Sequence, residues 1–195
     1  INLMKIISSD KRYQFPILVI LLHTAGLILR WFWIIKGRFP FNSDEAIVGL
    51  MGRHILTGEI PTFFYGQSYM GSLDAIWSAV FFHLFGSTII SLRISQTILW
   101  IGLVISVFSL SREIFRSSRA AWISTFLLAI PPVNLLLYST VSLGGYLEAL
   151  IIGVWTIIFA HQIHRMQGTQ YIRIFADGLL SGFGVWVFGF SLIFT

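Results

Sequence analysis

The sequence predicts an all-α fold: a polytopic membrane helical bundle with interfacial helices in a long first outer loop. Three observations carry that reading. Only 11% of the 195 residues are charged and 56% are hydrophobic, with a mean hydropathy of +0.82, whereas a soluble domain averages about 25% charged residues. Several apolar runs reach the ~20 residues needed to cross roughly 30 Å of hydrocarbon. Lysine and arginine flank those runs unevenly, as orientation in a bilayer requires.

Composition also excludes several functions. With no cysteine there is no disulfide framework, thiolate metal site or cysteine nucleophile. The net charge of +5 comes mainly from residues beside apolar spans, so nucleic acid is not an expected partner. The chain opens on Ile1 and closes inside an apolar run. The expectation is therefore an N-terminal part of a longer membrane module, inactive by itself, with the C-terminal part absent.

The first span is expected at about 15–35. It is followed by an outer loop, 36–87, holding four of the eight acidic residues: Asp44, Glu45, Glu59 and Asp74. Asn42 and Glu45 fit the spacing of a capping box, and Gly58 suits a left-handed stop, which together predict a helix over 43–57. Ile47, Val48, Met51, Ile55 and Leu56 recur at helical spacing, so this helix is expected along the membrane surface, with Gly49, Gly52 and Arg53 on a narrower small or polar face. Asp44 and Glu45 in its first turn suit the helix dipole, a structural role that competes with a chemical one.

The stretch PTFFYGQSYMG, 61–71, suits either a packed loop turning polar groups toward a ligand or an aromatic belt at the headgroups. The apolar stretch 72–85 is about 21 Å long as a helix, too short to cross, and is expected to be interfacial or re-entrant. Further spans are expected at about 88–110, 120–139, 146–164 and 174–195. Pro131 and Pro132 fall inside one span, where neighbours or a cavity can satisfy freed backbone groups. Gly178, Gly182 and Gly184 in the last span offer weak signals of close helix packing.

If 72–85 does not cross, the inner segments carry Lys5, Lys11, Arg12, Arg112, Arg116, Arg119, Arg165 and Arg173, against Lys36, Arg38 and Arg53 outside. That bias obeys the positive-inside rule and leaves 140–145 as a very short second outer loop. Glu148 then opens the fourth span, where an ionisable residue marks a function by default or else caps a helix end. Because Asp44 and Glu148 both fall at the outer face, they are expected to converge on one cavity. Arg30 and Arg93, near the outer ends of the first and second spans, either snorkel to headgroups or meet the phosphate of a bound lipid. No histidine shows metal-ligand spacing; His54 is the one that falls near the loop acids.

The order of these pieces is specific. A loop opening SDEAIVGLMGRHILTGEIP is followed by FFYGQSYMGSL, then HLFGSTIISLRIS, a basic turn REIFRSSRAAW and an acid after the third span. This resembles the N-terminal part of GT-C glycosyltransferases of the protein mannosyltransferase-like group, which includes the lipid A aminoarabinose transferases. The resemblance implies hexosyl or pentosyl transfer from a polyprenyl-phosphate-linked sugar to a lipid, glycan or protein acceptor. It also implies a multi-pass protein of the cell membrane, in contact with membrane lipids and active on the outer face.

Asp44 would then be the catalytic base, Glu45 its neighbour and Glu148 a second site carboxylate; a divalent metal ion, where one is used, would sit on Asp44 and Glu148. The substrate-binding candidates are Arg93, Tyr65, Gln67, Tyr69 and Arg53. The chemistry fits an interfacial site, since the donor is already activated and the enzyme must deprotonate the acceptor and stabilise departing phosphate. A transporter and a non-catalytic membrane assembly subunit are the alternatives. Transport charges tend to meet at the bilayer midplane, and an assembly subunit would have no acidic cavity.

Overall fold

The computed structural model describes residues 11–165 and 171–195; Lys5, counted above on the inner side, lies outside them. The described residues are predominantly helical. Helix α1 is Lys11–Ile35, α2 Ser43–Leu56, α3 Leu73–Phe85, α4 Ile89–Phe115, α5 Ser118–Leu128, α6 Val133–Tyr138, α7 Tyr146–Arg165 and α8 Tyr171–Val187, followed by a 3₁₀ helix, Gly189–Phe194. Among the described residues three stretches are long and apolar enough to cross a membrane: Tyr13–Ile35, Ile89–Phe115 and Tyr146–Arg165.

Long-range contacts define two ends of the bundle. At one end, Arg30 of α1 bonds the Ser139 carbonyl, and Arg93 of α4 bonds the Thr140 carbonyl. At the other, Ser111 Oγ donates to Ser124 Oγ at 2.7 Å and Arg165 lies 3.7 Å from Glu113. The segment between α1 and α4 and the turn 139–145 therefore share one end, called here the loop end.

Helix α2 starts as its sequence dictates. Asn42, extended at φ −115° and ψ 175°, accepts the Glu45 N–H through its side chain, and Gly58 takes up φ +94° just beyond the C-terminus. The small face, however, is not the polar one. A Cβ on Gly52 would lie 3.2 Å from the Phe82 ring, so this glycine sets the close approach of α2 to α3. Val48 and Met51 are fully buried with Phe82 and Leu92, whereas Leu50 and Leu56 are exposed.

Three features depart from the sequence expectations. The aromatic stretch 61–71 forms a small antiparallel hairpin, Phe63–Phe64 with Gln67–Gly71. Gly66, at φ +78°, supplies the left-handed residue of its two-residue turn. The expected span 120–139 is two helices, α5 and α6. Pro131 and Pro132 lack an N–H to continue the ladder and bias the residues before them away from helical geometry, so α5 ends at Leu128 and α6 restarts at Val133.

The expected span 174–195 is helical only to Val187. Phe188 is extended and forms a bridge to Met70 of the hairpin before the 3₁₀ turn, with its ring against Tyr146 and Phe190. Of the three glycines noted there, Gly184 alone lies at a tight contact, 3.1 Å from Ile152. The hairpin, α2, α3 and Phe188 enclose one apolar core, and Trp100, Leu103 and Leu147 form a second between α4 and α7.

Candidate functional site

Polar groups gather at the loop end, where α2, α3, α4 and α7 meet the turn 139–145. The start of α2 turns Glu45 inward. Its Oε2 lies 2.9 Å from Arg93 Nη2, and both side chains are essentially inaccessible, at 0% and 1% exposed. Arg93 also donates from Nη1 to the Thr140 carbonyl at 3.0 Å and from Nη2 to the Phe39 carbonyl at 3.3 Å. Burial pushes the Glu45 carboxyl above the ordinary glutamate range, while the Arg93 guanidinium and the nearby Ser142 and Asn42 amides pull the other way.

A second polar group is centred on Asp74, in the first turn of α3. Its Oδ1 accepts from Gln96 Nε2 at 2.9 Å, and its Oδ2 from Ser142 Oγ at 2.6 Å and the Gly144 N–H at 3.0 Å. Glu148, 4% exposed, lies close enough to Asp74 for the two carboxyls to act on each other, and its Oε1 is buried without a hydrogen-bond partner. Burial raises the Asp74 carboxyl above the usual aspartate range against the pull of Ser142, Gly144 and Glu148. Gly144 and Gly145 adopt φ +84° and +85°, left-handed geometry open to glycine at little cost. This conformation carries the amides of 142–145 to the carboxylates.

Asp44 is placed differently. It is half-buried and makes no hydrogen bond or ion pair among the described residues. Its charge acts on the Tyr146 phenol, as do Tyr138 and Tyr69. Tyr146 stacks on Tyr138 at 4.5 Å and 17° and contacts Phe188 at 4.6 Å; Tyr69, 59% exposed, follows at 6.1 Å from Phe188. Tyr146, on which the Asp44 charge acts, thus stands in a row of rings with Tyr138, Phe188 and Tyr69.

The expected site residues divide accordingly. Glu45 and Arg93 pair with each other, so Arg93 is a buried clamp and not a group presented to a donor phosphate. Glu148 lies near Asp74, and Asp44 acts on Tyr146, two residues before Glu148. Tyr65 Oη lies 2.8 Å from His54 Nδ1, and Gln67 Oε1 is buried without a hydrogen-bond partner. Arg53 is exposed and lines a cavity of about 400 Å³ with Phe41, Ala46 and Leu92. Nine residues at 100° and 1.5 Å each put Arg53 about half a turn round α2 from Asp44 and ~13 Å along it, so the two do not share a face.

Glu148 Oε1 is buried without a hydrogen-bond partner, whereas both Asp74 oxygens already accept from Gln96, Ser142 and Gly144. Among the described residues no cluster of three or more histidines or acids is arranged for a metal. Sequence reasoning passed over Asp74, Gln96, Ser142, Tyr138 and Tyr146 as site residues. A usable signal existed for Asp74, the sole acid in the apolar α3, by the same cost argument that singled out Glu148. No family model, curated protein or solved structure matches the chain.

Proposed function

We propose that this chain carries the catalytic face of a membrane glycosyltransferase that moves a sugar from a polyprenyl-phosphate donor to an acceptor on the outer face of the cell membrane. The observation that carries the reading is Asp44, an unpaired, half-buried carboxylate whose charge acts on Tyr146, a ring in a row with Tyr138, Phe188 and Tyr69. The flat C–H face of a sugar packs on such rings, whose faces carry partial negative charge, and a carboxylate within reach accepts the proton of an attacking hydroxyl or amine.

In this reading Asp44 is the base, while Glu45 with Arg93 and Asp74 with Glu148 are positioning pairs. The first pair fixes the start of the helix that presents Asp44. The second fixes the turn that leads into Tyr146. Two buried carboxyls close together, Asp74 and Glu148, favour a second reading, proton-coupled transport, although the pair sits at the loop end and not at the midplane where transport sites gather.

The test is transfer from a labelled lipid-linked sugar by the intact protein. Asp44→Asn removes the proton acceptor and no hydrogen bond seen here, so its melting temperature should match the parent while transfer falls by about 10² to 10⁴. Full transfer by Asp44→Asn overturns the assignment.

A further inference from the structure

Two cavities, about 400 and 320 Å³, lie along α1 and share His23, Leu27 and Trp100. They adjoin at these side chains, where His23 Nε2 lies 2.9 Å from the Thr125 carbonyl, and together follow α1 against α4 and the broken α5–α6 segment as an interrupted cleft. It runs from Val19, which lines the first cavity, to Trp33, which lines the second, or about 21 Å of helix at 1.5 Å per residue. That exceeds one leaflet's half of the roughly 30 Å hydrocarbon core.

At its loop end the cleft meets Arg30, 6% exposed, whose guanidinium carbon lies 4.9 Å over the Trp100 ring. Arg30 makes a single hydrogen bond among the described residues, from Nη1 to the Ser139 carbonyl at 2.9 Å, although a guanidinium carries five donors. Five residues before the end of α1, it sits ~7 Å below that end. An arginine at that depth is costly unless paired, and its fork matches a phosphate with two parallel bonds.

We propose that this cleft binds an anionic phospholipid, one acyl chain lying along α1 and the phosphate on Arg30. Charge and shape agree: beyond Arg30 the lining is almost wholly apolar, and Ile130 at its rim is 80% exposed, so a bilayer lipid enters sideways. The proposal does not depend on sugar transfer.

The test uses the intact protein in neutral detergent, with thermal unfolding followed as dioleoylphosphatidylglycerol or dioleoylphosphatidylcholine is added. A ligand of the folded state raises the melting temperature with concentration. The anionic lipid should do so and the zwitterionic one should not. Arg30→Gln should weaken the apparent affinity at least ten-fold and Arg30→Lys less.

Should Arg30→Gln fail to fold, Gly26→Leu carries the test: a Cβ on Gly26 meets nothing within 4 Å, and the added side chain fills the second cavity. It too should weaken the lipid response at least ten-fold. Equal responses to both lipids, an unchanged affinity in Gly26→Leu, or a full response to glycerol phosphate alone overturns the proposal. Tighter binding of polyprenyl phosphate in the same cleft also overturns it, by assigning the cleft to the donor.

Discussion

Replacing Glu45 by methionine leaves the Arg93 guanidinium buried with no counter-charge. The pair is 2.9 Å apart and at most 1% exposed, and breaking such a pair from one side costs about 3–5 kcal/mol. For a chain of this size each kcal/mol moves the melting temperature by about 2–4 °C, so Glu45→Met should melt roughly 6–20 °C below the parent. Arg93→Met should cost a similar amount, and simple additivity would give the double variant about 6–10 kcal/mol. The double variant buries no lone charge. It loses the donors to the Thr140 and Phe39 carbonyls, at about 1–3 kcal/mol each, and the long 3.4 Å bond from the Ser142 N–H to Glu45. The double-mutant cycle, read by thermal unfolding in detergent, should therefore show several kcal/mol of coupling. Additive losses, or a Glu45→Met melting point within ~2 °C of the parent, would refute the clamp.

Other outcomes follow from the same geometry. Because burial raises the folded-state Asp74 carboxyl above its unfolded value, its contribution to stability is complete below the ordinary aspartate pKa of about 4 and is lost as pH rises through the raised value. The parent should thus lose thermal stability from pH 4 upward, and Asp74→Asn, with Gln96 turning its amide to meet the new donor, should give a shallower slope in the same melts; parallel slopes would contradict this. Gly71→Ala sets a Cβ 2.7 Å from the Trp186 carbonyl and should cost about 1–3 kcal/mol. Gly178→Ala meets nothing within 4 Å and should raise stability by about 0.5–1 kcal/mol, both read as melting shifts. Single cysteines at 59 and 116 in this cysteine-free chain should label from outside and inside intact cells respectively, with outside labelling at 116 reversing the orientation.

Local chemistry was legible in the sequence wherever a few neighbouring residues decide it. Asn42 and Gly58 bracket α2 because a cap and a left-handed stop need only their own backbone. The apolar run of α3 is plain for the same reason. Partners were not legible. Glu45 meets Arg93, 48 residues away, and Asp74 meets Ser142, 68 away, by way of a turn whose path depends on two left-handed glycines. The hairpin at 63–71 was hidden because aromatic and glycine residues serve a belt and a turn equally well, and Phe188 leaves the helical path for a strand partner more than a hundred residues earlier. Asp44 was found from its place in a motif, but its isolation from the buried acids could be seen only in three dimensions.

The double proline at 131–132 bears on how the chain is made. Neither α5, with 11 residues, nor α6, with six, reaches the ~20 residues that a bilayer asks of an independent crossing, so a translocating machinery meets no self-sufficient segment between α4 and α7. The stretch must settle by docking on neighbours already in place, through contacts such as Ser124 with Ser111 and Thr125 with His23. Integration of this stretch is therefore expected to depend on α1 and α4 being in place. A substitution that loosens α1 or α4 would then first appear during biosynthesis as a failure to integrate 118–138, before any change in the finished protein.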